Sequence, residues 1–172
     1  MNAKINIKDS ILETNRLVLR PFKRSDLDDF YAYAKVWGVG QMAGWLPHQS
    51  IKQSQEILEK FIEGEKTFAI VYKNNHKVIG SIGIENLRNI DEEKLKKLKG
   101  RELGFVLSKE YWGLGIMPEA VKKVIDYLFH DCNLDFITCS YFIDNNQSKR
   151  VQEKCGFKFL KKVILPTQMQ EE

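Results

Sequence analysis

The chain has 172 residues, of which 43% are apolar, and a formal net charge of +4. This length and composition are typical of a single globular domain that buries its own core. The excess of positive charge is too small to indicate nucleic-acid binding, although it suits an anionic ligand. No run of about 18 apolar residues and no signal peptide is present, so neither membrane insertion nor secretion is predicted.

The number and spacing of the cysteines indicate the redox compartment of the protein. Cys132, Cys139 and Cys155 show no C-x-x-C spacing. An odd number of core-like cysteines favours a reducing cytoplasm over a disulfide framework, and no metal site is predicted.

Hydrophobic periodicity and turn residues predict alternating strands and helices. Strands are predicted at residues 16–22, 67–72, 77–85, 102–107, 136–142 and 157–164, and helices from Ser25, at 51–63, at 117–130 and at 145–155. A glycine-rich loop is expected at 36–50, and a charged excursion with a helical turn at 91–98. The order indicates one α/β domain, a mixed sheet with helices on both faces. Its core should span about 12–164, with poorly structured ends at 1–11 and 165–172.

The most informative stretch is residues 102–120, a strand, a glycine turn and an amphipathic helix. The first N–H groups of a helix have no partner inside it, and the helix dipole adds positive charge there. Gly113 and Gly115 let a ligand approach the backbone closely, which favours a pyrophosphate. The alternative is an ordinary tight turn. Two common nucleotide-binding motifs are absent: the chain has no G-x-x-x-x-G-K-[ST], and Pro118 stands at the last position of G-x-G-x-x-G. Their absence argues against a nucleotide-phosphate-binding protein.

A second strand-to-helix junction lies at residues 144–157, with the sequence DNNQSKRVQEKCGF. Asn145 or Asn146 is a typical N-cap, and Gly156 is a typical residue after a helix C-terminus. Taken alone, this junction is therefore better explained by plain capping than by a binding role.

Together the two junctions resemble the Gcn5-related N-acetyltransferase family, and within it the branch of ribosomal-protein-alanine acetyltransferases. The matching segments are ELGFVL at 102–107, YWGLGIMPEA at 111–120, N-x-x-S-x-x-x-x-E-K-x-G-F at 145–157 and L-x-T-x-R-L-x-L-R at 12–20. The resemblance covers nearly all of residues 12–163. It implies a mostly antiparallel central sheet with splayed central strands, and acetyl-CoA as the donor.

The resemblance also implies which residues bind acetyl-CoA. The cofactor-binding candidates are Phe105, Val106 and Leu107 along the pantetheine arm, Trp112, Gly113, Leu114, Gly115, Ile116 and Met117 at the pyrophosphate, and Asn145 and Ser148 near the pantetheine amide and the thiol. Two positions depart from the broad family pattern Q/R-x-x-G-x-G/A. Trp112 replaces Gln or Arg, as is usual in the branch, and Met117 replaces a small residue. Family members also carry a further C-terminal strand, so this chain is either shortened or completed by a partner, which leaves a homodimer open.

The catalytic candidates are Glu102, Ser148 and Tyr141. Glu102 is the candidate base because it lies on the strand that would hold the donor, and backbone N–H groups near Phe105 would polarise the thioester carbonyl. The alternative for Glu102 is a structural carboxylate paired with Arg101 or Arg16. Ser148 or Tyr141 could protonate the leaving thiolate; the alternatives are a capping hydroxyl and a core residue.

The early loop carries the candidates for the acceptor side, Trp45 and His48, in the region where the family places its acceptor. The alternative for His48 is an ordinary surface residue. The expected function is acetyl transfer to a primary amine, either a protein N-terminal α-amine or a small-molecule amine. The alternative is a CoA-binding sensor on the same fold, without catalysis.

Overall fold

The computed structural model describes residues 1–88 and 93–164. The strands are β1 (Leu12–Glu13), β2 (Leu17–Pro21), β3 (Thr67–Tyr72), β4 (Val78–Glu85), β5 (Gly100–Leu107) and β6 (Phe136–Cys139). The helices are α1 (Leu27–Ala34), α2 (Ile51–Gly64), α3 (Glu93–Lys96), α4 (Ile116–His130) and α5 (Asn146–Lys154). Short 3₁₀ turns occur at Arg24–Asp26, Gln41–Ala43 and Lys109–Tyr111. The helical turn predicted at 91–98 is represented by α3, and residues 91 and 92 lie outside the described residues.

The strands form one six-stranded sheet in the order β1-β2-β3-β4-β5-β6. Every neighbouring pair is antiparallel except β5 and β6, which are parallel. Their register runs from Gly100 opposite Phe136 to Leu103 opposite Cys139, and β5 then continues to Leu107 paired only with β4. The mixed, mostly antiparallel sheet with splayed central strands is therefore confirmed.

Helices cover both faces of the sheet, as predicted. The buried stripe of α4 packs on one face, because its apolar positions recur at helical spacing. That cluster includes Leu19, Phe68, Ile82, Leu103, Val124 and Leu128. On the other face, a second cluster includes Phe22, Phe30, Leu58, Val71 and Val78, with α1 and α2 above the strands. Within the described residues, no helix has the length and apolar character needed to cross a bilayer.

The prediction that residues 1–11 are poorly structured is wrong. Ala3, Ile5 and Ile7 alternate with exposed residues and are buried in the α4-side core. Asn2 forms a parallel bridge with Gly100, which extends the sheet pairing into this segment. The period-2 alternation of a half-buried strand was the signal for this packing. The predicted tail at 165–172 lies outside the described residues.

Two strand predictions at the far edge are also wrong. β6 ends at Cys139 rather than residue 142, and the carbonyl of the next residue, Ser140, accepts from the side chain of α5, at 3.2 Å from Gln152 Nε2, and not from a strand. Residues 157–164 are not a strand, since they join no ladder with a strand in the described part of the chain; Phe157 N donates to Gln152 O of α5. Phe159 and Ile164 are accordingly exposed. An alternating sequence forms a strand only where another strand accepts its hydrogen bonds.

Candidate active site

The turn between β5 and α4 is built on two glycines with left-handed backbone. Gly113 has φ of +78° and Gly115, the N-cap of α4, has φ of +73°. These angles require glycine, since a Cβ is strained there. Just beyond them, Ile116 and Met117 are buried in the core and anchor the first turn of the helix.

The amides of this turn have no partner in the described part of the chain. Within residues 1–88 and 93–164, no acceptor is present for the backbone N–H groups of residues 113–117. They lie at the positive end of a 15-residue helix. A β-carbon built on Gly113 would meet nothing within 4 Å, so the space beside this residue is open. Unpaired N–H groups, dipole and open space fit a diphosphate.

The free edge of β5 faces the splay beside this turn. Ser108 N donates to Ile79 O of β4, at 2.8 Å. Because backbone groups alternate between the two edges of a strand, the N–H and C=O of Phe105 lie on the edge away from β4, beyond the end of β6. No described residue bonds to either group. Phe105 therefore offers one donor and one acceptor to an extended ligand.

Trp112 closes the end of this edge. Its Nε1 donates to the carbonyl of Leu107 at 2.7 Å, and its half-buried ring packs against the cores on both faces of the sheet. The indole fixes the end of β5 relative to the glycine turn. The Leu107 carbonyl thus already has a donor, whereas Val106 contributes its side chain to the α1–α2 core.

The second junction is capped by its own side chain. Asn145, and not Asn146, is the N-cap of α5, and its Oδ1 accepts from Ser148 N at 3.0 Å. Its Nδ2 donates to the carbonyl of Met42 at 3.1 Å, which ties the early loop to α5. The hydroxyl of Ser148 accepts from Gln152 Nε2 at 3.2 Å, so its hydrogen remains free to be donated.

Glu102 is buried, with 2% of its surface exposed. Its Oε1 accepts from Arg88 Nη2 at 2.5 Å and from Ser140 Oγ at 3.0 Å. The predicted pairing with Arg101 or Arg16 is wrong, because Arg101 donates to the carbonyl of Ala3 and Arg16 bonds elsewhere. Oε2 of Glu102 has no hydrogen-bond donor among the described residues.

Sequence reasoning missed Arg88 and Ser140. Ser140 lies two positions beyond Thr138, the residue opposite Glu102, so their side chains share a face. The register of β5 and β6 could not be read from the sequence, and Arg88 lies in a loop without a pattern.

The remaining candidates lie in different surroundings. His48 is not a surface residue: it is 6% exposed, its Nδ1 lies 2.7 Å from Ser54 Oγ, and burial lowers its pKa. The half-buried Trp45 packs beside it, with ring centroids 5.0 Å apart. Tyr141 is half-buried and belongs to neither core cluster, contrary to the core alternative. An acceptor-side or catalytic role for these three residues stays a prediction.

The surroundings of Cys139 and Cys155 do not favour a cysteine nucleophile at this site. Cys139 and Cys155 pack against the α4-side core. Burial raises the pKa of the Cys155 thiol, and burial together with the charge of Glu102 raises that of Cys139. Both groups are therefore thiols at neutral pH and poor nucleophiles.

Comparison with known proteins decides the family. The family described as "Acetyltransferase (GNAT) domain" matches residues 16–158. The chain belongs to the GNAT family. It is 30% identical over 152 residues to "Uncharacterized N-acetyltransferase p20" of Bacillus licheniformis, covering 85% of this chain and 81% of that protein.

Solved structures agree with this GNAT assignment. The ribosomal-protein-S5-alanine acetyltransferase from Vibrio fischeri has a TM-score of 0.66 and 27% identity, covering 87% of this chain and 84% of that one. The spermidine N-acetyltransferase from Vibrio cholerae, solved with CoA and spermine, has a TM-score of 0.72 over 90% and 88% of the two chains, and at 19% identity shows the shared fold. This GNAT chain is an N-acetyltransferase, and the acetyl-CoA donor of the family suits its unpaired turn.

Proposed function

We propose that this GNAT domain transfers the acetyl group of acetyl-CoA directly to a primary amine in the gap between β5 and β6. The observation that carries the proposal is the row of unpaired backbone groups that begins at Phe105 and continues through the turn at residues 113–117. An extended ligand with amides at one end and a diphosphate at the other satisfies both parts of that row.

Each part of the row has its own task. Gly113, Leu114, Gly115, Ile116 and Met117 offer N–H groups to the diphosphate, and Phe105 pairs with the pantetheine arm. Val106 and Trp112 form the wall of the groove, and Asn145 and Ser148 border it from α5. The side chain of Met117 is buried in the core, so the bulky residue at this family position does not enter the phosphate site.

The chemistry requires two proton transfers. Acetyl-CoA supplies an activated acetyl thioester when bound. As the amine nitrogen forms the new C–N bond and the C–S bond breaks, the proton lost from nitrogen is balanced by one delivered to sulfur. Oε2 of Glu102 is the site for the first proton, because Arg88 and Ser140 both bond to Oε1 and no described residue donates to Oε2.

The second proton comes from Ser148 or Tyr141. Ser148 is the better placed of the two, since its hydroxyl oxygen already accepts from Gln152 and its hydrogen is available. Backbone N–H groups near Phe105 polarise the thioester carbonyl.

The acceptor belongs to one of two classes, a protein N-terminal α-amine or a small-molecule amine. The Vibrio fischeri protein favours the first class and the Vibrio cholerae protein the second. Release of CoA thiol, measured with spermidine, monoamines and peptides with free N-termini, tests the proposal. Peptides with acetylated N-termini and no lysine are the matched control. Saturable CoA binding without acetyl transfer to any amine would contradict it.

The role of Glu102 is tested by Glu102→Gln, which keeps the side-chain volume. We expect kcat to fall by about 10²-fold or more, with little change in the dissociation constant for CoA. Arg88→Gln is the comparison, because it keeps the carboxylate and removes the partner of Oε1. If Glu102→Gln retains at least half of the wild-type kcat, Glu102 is structural.

A further inference from the structure

The first turn of α4 is fastened to the hairpin between β1 and β2. Glu119 lies in this turn, and its Oε1 accepts from Thr14 Oγ1 at 2.6 Å and from Arg16 N at 3.0 Å. Its Oε2 accepts from Arg16 Nε at 2.7 Å and lies 2.7 Å from Arg16 Nη2. Thr14 Oγ1 in turn accepts from Leu17 N at 3.0 Å. We refer to Thr14, Arg16 and Glu119 as the clamp.

The clamp also reaches the glycine turn. Arg16 Nη1 donates to the carbonyl of Leu114 at 2.9 Å, between the two left-handed glycines. Because a trans peptide directs its C=O and N–H to opposite sides, fixing the Leu114 carbonyl fixes the direction of the Gly115 N–H. That N–H has no acceptor in the described part of the chain. One guanidinium thus sets the orientation of an amide in the candidate diphosphate site.

The clamp also balances charge. A bare carboxylate in the first turn of α4 would repel a diphosphate bound there and compete for the helix dipole. Burial alone would raise the pKa of Glu119, but hydrogen bonds from Thr14 and Arg16 and the charge of Arg16 outweigh burial and lower it. Glu119 is therefore ionised at neutral pH, and Arg16 neutralises it.

These observations support an inference that rests on the function proposed above. We propose that Thr14, Arg16 and Glu119 are positioning residues that aim the Gly115 amide at the diphosphate of acetyl-CoA and cancel the local negative charge. None of the three needs to touch the reacting atoms. The clamp gives Thr14 and Arg16, in the opening segment of the chain, a role at the donor site.

The test compares two donors, acetyl-CoA and acetyl-pantetheine, which lacks the diphosphate. For Arg16→Gln we expect KM for acetyl-CoA to rise about tenfold, or about 1.4 kcal/mol, whereas kcat/KM for acetyl-pantetheine changes less than about twofold. The double variant Arg16→Gln/Glu119→Gln should recover part of the loss, because it also removes the unpaired carboxylate. Arg16→Lys restores the charge but not the forked geometry and should recover only part.

A matched ion pair controls for general effects. Arg24 and Glu59 form a similar forked pair, at 2.8 and 3.2 Å, between the first 3₁₀ turn and α2. Arg24→Gln should leave KM for both donors unchanged. Thermal unfolding of each variant separates loss of folding from loss of binding.

Several outcomes would overturn the inference. Equal losses in Arg16→Gln with both donors would show that the clamp supports the fold alone, as would a lower melting temperature with unchanged KM. A double variant weaker than Arg16→Gln would contradict the charge-balancing part. If the wild type acetylates no amine, the function proposed above fails instead, and the clamp is then judged by the dissociation constants of CoA and pantetheine in the same variants.

Discussion

The two strand-to-helix junctions beside the splay begin their helices in opposite ways. After β5, Gly115 caps α4 without a side-chain hydrogen bond, and the amides of the turn have no acceptor among the described residues. After β6, the Asn145 side chain accepts from Ser148 N and closes the first turn of α5. Both helices carry the positive end of the helix dipole at their N-terminus, so a helix N-terminus alone does not make a binding site. Under the function proposed above, the open junction is the one that receives the diphosphate, because no described residue caps its amides.

The junctions also differ in how they are held. The open turn is fixed from behind by the charged pair of Arg16 and Glu119, which leaves its front free. The closed turn is fixed from within by a neutral amide that also bonds to Met42 O. In the proposed donor site, the amide of Gly115 is thus supported by a bond to the carbonyl on the opposite side of the same peptide.

Among the tests of this comparison between junctions, the largest expected effect distinguishes the glycine of the open turn from a glycine that only ends a helix. Gly113 and Gly156 have φ of +78° and +87°, and a β-carbon built on either meets nothing within 4 Å. Alanine at either position should therefore cost a similar amount of stability, about 1 kcal/mol. Only Gly113→Ala should also raise KM for acetyl-CoA, by about tenfold, because its β-carbon would enter the open space in front of the amides.

Gly156→Ala serves as the matched control for this prediction, and steady-state kinetics with thermal unfolding are the two measurements. Equal KM values for the two variants would show that the space in front of Gly113 does not receive the donor.

The sequence alone predicts the open junction well because its signals are local. The backbone conformation of the turn is indicated by residues within it, Gly113, Gly115 and Pro118, and the apolar stripe of α4 follows directly in the sequence. The Asn145 cap is predictable for the same reason. In each case the residue and the structure it specifies are neighbours in sequence.

The partners across the sheet were not predictable, because they depend on register and loop path. The Arg88–Glu102 pair needs the position of a patternless loop, and the Ser140–Glu102 bond needs the register of β5 and β6. The failed strand at 157–164 has suitable residues but joins no ladder with a described strand. The alternation of apolar Ala3, Ile5 and Ile7 with polar residues near the N-terminus was present but short.

A smaller effect is expected from removing the cap of the closed junction. Asn145→Ala should lower the free energy of unfolding by about 1 kcal/mol, because Ser148 N loses its acceptor. Asn145→Ser should restore most of this stability, since a hydroxyl also caps. Ser50→Ala is the matched control, because Ser50 caps α2 by accepting from Gln53 N at 3.2 Å, away from the splay.

Denaturant unfolding of the three variants measures this effect, and kinetics should show a smaller rise in KM for acetyl-CoA with Asn145→Ala than with Gly113→Ala. A larger rise in KM with Asn145→Ala than with Gly113→Ala would mean that the closed junction contributes more to donor binding than the open one, and the distinction between the two junctions would be wrong.

The smallest effect expected is a difference in acid sensitivity between the two junctions. The pKa of Glu119 is lower in the folded protein than in the unfolded chain. Its ionised form therefore contributes stability that is fully present above the ordinary glutamate pKa of about 4.3 and is lost as pH falls through the lower folded-state value. The difference in melting temperature between wild type and Glu119→Gln should stay constant from about pH 7 to 5 and shrink below that range.

The difference in melting temperature between wild type and Asn145→Ser should not depend on pH, because neither of those side chains titrates. A Glu119→Gln difference that widens in acid would mean that the carboxylate is protonated more readily in the folded state, and a clamp held by an ion pair would then be the wrong description of the open junction.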